Sequence, residues 1–154
     1  MRFQQSLCSA MILLLAAAAF GCGSSAPSTE ELFFEVFGQT PQSGISEIQG
    51  ADSRGVDSVI WLRFISENQS SGQRFLVESG FEVKPCDQLP AWFQMPERWV
   101  GDAFSPSWKV PSESQLRCFY HEDIMGTYRW SKYAALDQHS DQVYVAASTL
   151  PLEP

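Results

Sequence analysis

The sequence predicts an α+β fold: an antiparallel sheet of four or five strands, one or two helices on one face, and a long Trp/Pro-rich loop. Three observations carry this reading. The stretch Val56 to Ile65 is apolar on much of both faces, the pattern of an inner strand covered on both sides. Tyr128 to Leu136 and Gln142 to Ser148 each alternate in polarity and flank the polar break Asp137-Gln138-His139-Ser140-Asp141, as a hairpin requires. Pro85 to Cys118 holds five of the nine prolines and three of the five tryptophans. Such a composition forbids a long helix or a central strand, yet each large ring still needs ~150–250 Å² of burial.

Taken in order, Ser28-Thr29-Glu30-Glu31 has the form of a capping box and opens a short helix over Leu32 to Phe37. Gly38, with Pro41 beyond it, stops the helix, and Phe33, Val36 and Phe37 share one face. The polar positions of that helix are acidic, so docking on the domain is expected rather than attachment to a membrane surface. Ile45 to Gln49 is a candidate first strand, residues 50–55 are a loop by composition, and Val56 to Ile65 follows as the internal strand. Ser66 is expected to cap a second helix that runs to Ser79 and stops at Gly80. Phe81 to Val83 is a short strand candidate. After the proline-rich segment, Leu116 to His121 is another strand, and the terminal hairpin ends in a Pro151–Pro154 tail expected to fray.

Ahead of this domain, Arg2 supplies a short positive start and Leu7 to Phe20 is apolar except for Ser9, which is the layout of a secretory signal peptide. An apolar run of about fourteen residues falls short of the ~20 needed to span a bilayer as a helix. The run closes with Ala19-Phe20-Gly21-Cys22 and passes into the polar spacer Gly23-Ser24-Ser25-Ala26-Pro27-Ser28. This resembles a bacterial lipobox, although that family prefers Leu where Ala19 stands and a small residue where Phe20 stands. The resemblance covers the first 22 residues and implies cleavage before Cys22, acylation of that cysteine and a durable tether to the cell envelope. Asp after the lipidated cysteine marks inner-membrane retention in enteric members of the family, so Gly23 points to the outward side. The alternative is an ordinary secretory signal cut near Ala17-Ala18-Ala19, which would release a soluble protein. The implied organisation is a signal peptide over 1–21, a lipidated cysteine and spacer over 22–28, one globular domain over 29–150 and a tail over 151–154. The element order of that domain bears only a faint resemblance to uncharacterised bacterial lipoproteins, and no function comes with it.

Cysteine parity agrees with lipidation. Cys8 leaves with the signal and Cys22 carries lipid, so Cys86 and Cys118 remain as an even pair in an oxidising compartment, where a disulfide is expected. Neither lies in a C-x-x-C pair nor has a histidine at ligand spacing, so no metal is expected.

The chain carries 10 Lys plus Arg against 18 Asp plus Glu, a net charge of −8. Loss of Arg2 leaves nine basic against eighteen acidic residues, a net of −9 for the mature protein. This acidity and the lack of a basic patch exclude nucleic acid as an expected partner. The membrane is then a partner only through the acyl group. Of the two histidines, His121 is followed by Glu122 and Asp123, but neighbours on a strand point to opposite faces. His139-Ser140-Asp141 is triad-like in letters only, because successive turn residues cannot form the relay. Both histidines are expected at the surface, and no cofactor or enzyme motif occurs.

The expected role is therefore an envelope-anchored, non-catalytic binding or interaction lipoprotein whose acidity suits a basic envelope-attacking enzyme as target. The alternative is a glycan- or peptide-binding domain in which Trp92, Trp99 and Trp108 stack on the ligand. A hydrolase built on His121 and the acidic pair is a distant third.

Overall fold

The computed structural model describes residues 26–53, 58–94 and 108–151. The leader with Cys22, and Trp99, lie outside the described residues. The elements in chain order are α1 (Thr29–Phe37), β1 (Ile45–Asp52), β2 (Val59–Ser66), α2 (Gln69–Glu78), β3 (Glu82–Lys84), β4 (Leu116–Met125), β5 (Tyr128–Asp137) and β6 (Gln142–Pro151). The fold is α+β as expected, with one antiparallel sheet in the order β1-β2-β6-β5-β4-β3. The sheet has six strands rather than four or five. The three-residue stretch Glu82–Lys84 does pair with β4, opposite Cys118 to Tyr120, and forms a short edge. β6 also runs on to Pro151, because the hairpin ladder continues past Ser148 to pair Leu150 with Arg129.

β2 lies between β1 and β6, so its two apolar faces are both buried. Ile60, Leu62 and Phe64 face the two helices, and Val59 and Trp61 face the opposite side. α1 forms as its sequence requires. The Ser28 hydroxyl accepts from the Glu31 backbone at 3.2 Å, and Glu31 accepts from the Ser28 N–H at 2.6 Å. The Gly38 N–H closes the other end on the Phe34 carbonyl with φ at +69°. α2 starts later than expected. Ser66 is still in β2, its N–H bonded to the Asp141 carbonyl, so it cannot cap; the side chain of Asn68 accepts from Ser71 N–H instead. The exit is a Schellman arrangement in which the Phe81 N–H reaches back to the Leu76 carbonyl through Gly80 at φ +87°.

The helix-covered face is a phenylalanine core. Phe33, Phe37, Phe64 and Phe75 lie with ring centroids 4.6 to 6.1 Å apart, and Phe81 joins through Phe37. Glycines allow the close approach. A Cβ on Gly72 would meet the Ser66 hydroxyl at 2.6 Å, and one on Gly50 would meet Leu62 at 2.9 Å.

The opposite face is covered by the irregular segment. Two 3-10 turns, Cys86–Gln88 and Ala91–Gln94, and the residues from Trp108 onward lay Phe93 and Trp108 on the sheet residues Trp61, Leu116, Ala135, Tyr144 and Ala146. The register sets Ala51 and Ala146 on either side of Trp61, which leaves room for the fully buried indole. Cys86 and Cys118 form a disulfide with Cα atoms 5.2 Å apart, tying the start of this segment to β4.

Candidate functional site

Strand alternation brings Tyr120 of β4 and Tyr133 of β5 opposite one another on the loop-covered face. Their rings lie 5.0 Å apart, and Trp92 from the 3-10 turn meets Tyr133 edge-on at 5.6 Å. All three rings are half-buried. Beside them Lys84, Pro85, Gln88 and Leu89 wall a pocket of about 240 Å³ whose base includes Cys118, Tyr120 and Tyr133. Burial, and secondarily the nearby Glu122 carboxylate, pushes the Tyr133 hydroxyl above the ordinary tyrosine range. Burial and the hydrogen bond to Glu122 raise Tyr120 as well, so both phenols are neutral donors at neutral pH. The arrangement offers flat apolar faces, phenol hydroxyls, an ammonium and a carboxamide, a set suited to non-covalent recognition. Larger openings of about 440 and 450 Å³ along α2 contain no aromatic ring.

The three tryptophans singled out in the sequence part company. Trp108 is a core residue, 6% exposed, packed between Phe93 and Tyr144 with its indole N–H donated to the Phe93 carbonyl at 3.0 Å. Its ring is taken up by packing and presents no face to a ligand. Trp92 stands beside the pocket, and Trp99 lies outside the described residues. Tyr120 and Tyr133 were not singled out. Their signal is positional, since two outward tyrosines become neighbours only once the β4–β5 register is known.

A second polar cluster lies on the helix-covered face, toward the far end of β4 and β5. His121 Nδ1 is 2.9 Å from the Gly80 carbonyl and Nε2 is 2.8 Å from Asp123 Oδ1. The second Asp123 oxygen accepts from Lys132 Nζ at 2.6 Å. A carbonyl and a carboxylate only accept, so both histidine contacts are hydrogen bonds when both ring nitrogens carry hydrogen. Burial pushes the Asp123 carboxyl upward, but the hydrogen bond and charge of Lys132, with the charge of His121, more than offset this and hold it below the ordinary range. His121 is half-buried, against the surface position expected, because β4 turns it toward Phe81 and the Gly80 turn. Glu122 points to the other face, as alternation requires, where it accepts from Tyr120. His139 is exposed in the β5–β6 turn, where Asp137 accepts from the His139 N–H and the Ser140 hydroxyl, and no relay forms. Among the described residues no three His, Cys, Asp or Glu side chains gather to hold a metal, and no helix is long and apolar enough to cross a membrane.

The chain matches no family model, no curated protein and no solved structure.

Proposed function

We propose that this chain is an exported, envelope-anchored binding module without catalytic chemistry, tethered through acyl chains on Cys22, and that it recognises a protein partner through Trp92, Tyr133 and Tyr120. The observation that carries the reading is the half-buried aromatic strip bordering the 240 Å³ pocket. The net charge of −9 left after loss of Arg2, nine basic against eighteen acidic residues, favours a basic partner by steering its approach. Both His121 nitrogens face acceptors within the fold, the Gly80 carbonyl and Asp123, which favours a structural role for this side chain over the hydrolase reading.

The decisive experiment places benzoylphenylalanine at position 88, on the rim of the pocket, in the tethered protein. Irradiation should yield one discrete protein adduct that weakens with salt and disappears in Tyr133→Ala. Absence of any discrete adduct counts against the reading. A second reading, glycan binding, draws on the rings and neutral hydroxyls at one pocket. It replaces the first if purified protein binds cell-wall glycan and Trp92→Ala does not. The anchor is tested apart from the partner: labelled palmitate should enter the wild-type chain and not Cys22→Ala.

A further inference from the structure

Seven large apolar side chains are exposed among the described residues, and four of them gather at one end of the sheet. Ile124 is 67% exposed, Met125 62%, Tyr128 51% and Leu150 46%. The pairing register explains the gathering. Ile124, Arg129 and Leu150 form one cross-strand row, and Met125 faces Tyr128 in the next, where Gly126-Thr127 closes the β4–β5 hairpin.

Two features distinguish this tip from an ordinary apolar patch. First, strand alternation puts Ile124 and Leu150 on the loop-covered side and Met125 and Tyr128 on the helix-covered side. A tip apolar on both sides suits surroundings that are apolar on every side, as a bilayer is. Second, residues 124–128 carry no formal charge at neutral pH. Arg129 stands between Ile124 and Leu150 in their row, 3.9 Å from Glu122, and farther back Lys132 lies 2.6 Å from Asp123. Tyr128 is the kind of amphipathic ring that sits at a bilayer interface.

We infer that the β4–β5 tip enters the surface of a lipid bilayer. This rests on the lipid-anchor reading, which also supplies the geometry. From Cys22 to Ser28 is six residues, a reach of at most ~20 Å. The start of α1 lies beside Gly50, where Thr29 would touch an added Cβ at 3.5 Å. Gly50 shares a cross-strand row with Leu62, Val145, Ala134 and Phe119. Met125 is six residues beyond Phe119 on β4, a rise of ~20 Å. The tip also lies four strand spacings, ~19 Å, to the side of β1, so a tether of this length lets the tip meet the membrane that holds the anchor when the sheet tilts its β1 edge toward the bilayer. The acidic domain gains nothing from anionic headgroups, so insertion is driven by the apolar side chains and proceeds best into a zwitterionic bilayer.

The test uses the acylated full-length mature chain in phosphatidylcholine vesicles doped with a phosphatidylcholine that carries a photoactivatable diazirine in its acyl chain. Adducts mapped by mass spectrometry should concentrate in residues 124–128 and fall by about tenfold or more in Ile124→Glu/Met125→Glu. That variant should keep palmitate on Cys22 and the Cys86–Cys118 disulfide. Palmitate incorporation with adducts absent from the tip, or spread over the domain, overturns the inference and leaves the anchor standing. Loss of palmitate in the wild type overturns the anchor alone; the unacylated protein at high lipid concentration then still reports on the tip. Tip protection only when envelope proteins are added, without lipid adducts, identifies a protein-docking site and overturns the inference.

Discussion

One sheet is covered in two different ways. On the helix-covered face, α1 and α2 satisfy their own backbone groups internally, so what they contribute is side chains: Phe33, Phe37 and Phe75 with Leu32, Val36 and Leu76. On the loop-covered face an irregular segment does the covering, and among its described residues the internal backbone bonds are those of short 3-10 turns. Side chains take over that work: Trp61 Nε1 reaches the Trp92 carbonyl at 3.4 Å, Trp108 Nε1 the Phe93 carbonyl at 3.0 Å and the Tyr144 hydroxyl the Lys109 carbonyl at 3.2 Å. This explains why tryptophan and tyrosine stand where the opposite face uses phenylalanine. A ring that carries one donor fills volume and satisfies a stray carbonyl at once. The covering segment is also where the recognition strip lies, because rings held by only part of their surface leave the remainder open.

The comparison is broken most severely on the helix-covered face. Phe64 is fully buried and meets Phe33, Phe37 and Phe75, two helices against one strand. Phe64→Ala should cost about 3–5 kcal/mol in denaturant unfolding, through lost transfer energy and a cavity that rigid helices cannot collapse into. A loss under about 1 kcal/mol would mean that this face repacks freely and is not the more rigid of the two.

Next in size is the disulfide, which serves the loop-covered face alone. The bridge closes a sequence separation of 32 residues. Cys86→Ala/Cys118→Ala should lose about 3–4 kcal/mol by the chain-entropy relation. Hydrogen exchange sharpens the contrast: amides around Trp92 and Phe93 should exchange faster, while those of α1 keep their wild-type protection. Uniform acceleration over both faces would show that the segment is integral to the core.

Trp108→Phe asks for less. The donor to Phe93 is withdrawn and part of a buried ring is lost, at a cost of about 1–3 kcal/mol for the unpaired group with a small cavity added. Binding through the Trp92 strip should persist in this variant. Equal loss of partner binding in Trp108→Phe and Trp92→Ala would return Trp108 to the recognition surface.

How much of this was legible depended on whether a feature is local. The apolar faces of β2, the Ser28 capping box and the Gly38 stop are set by neighbours in sequence, and they form as read. The proline and tryptophan content of the 85–118 segment announced an irregular cover with rings to bury, and the two leftover cysteines join as expected. What escaped is set across strands. Ser66 has the right chemistry for a cap, yet its backbone is claimed by β2, so the duty passes to Asn68. Tyr120 meets Tyr133, and Asp123 meets Lys132, only through the β4–β5 register and its surroundings. The spacing of His121 and Asp123, two apart on a strand, was the one local hint that they share a face.

The smallest expected effect contrasts the two faces by pH. Near the loop-covered face, burial raises Tyr120, Tyr133 and Tyr144, so any stability they add is present below the unfolded tyrosine value near ~10 and is lost as pH climbs through their higher folded values. On the helix-covered face the sign is reversed. Asp123 has a lowered folded value, so its contribution is present above the unfolded value near ~3.9 and is lost as pH falls through the folded value. Its side chain is 38% exposed, which screens the pairing with Lys132 and keeps the effect modest. Asp123→Asn should therefore lower stability at pH 7, where Lys132 loses its partner, and flatten the decline below the unfolded carboxyl value. Urea unfolding at several pH values reads both. Glu31, lowered by its bonds to Ser28, is common to both proteins and cancels in the difference. An unchanged acid slope in Asp123→Asn would show that the His121–Asp123–Lys132 cluster contributes nothing to acid sensitivity.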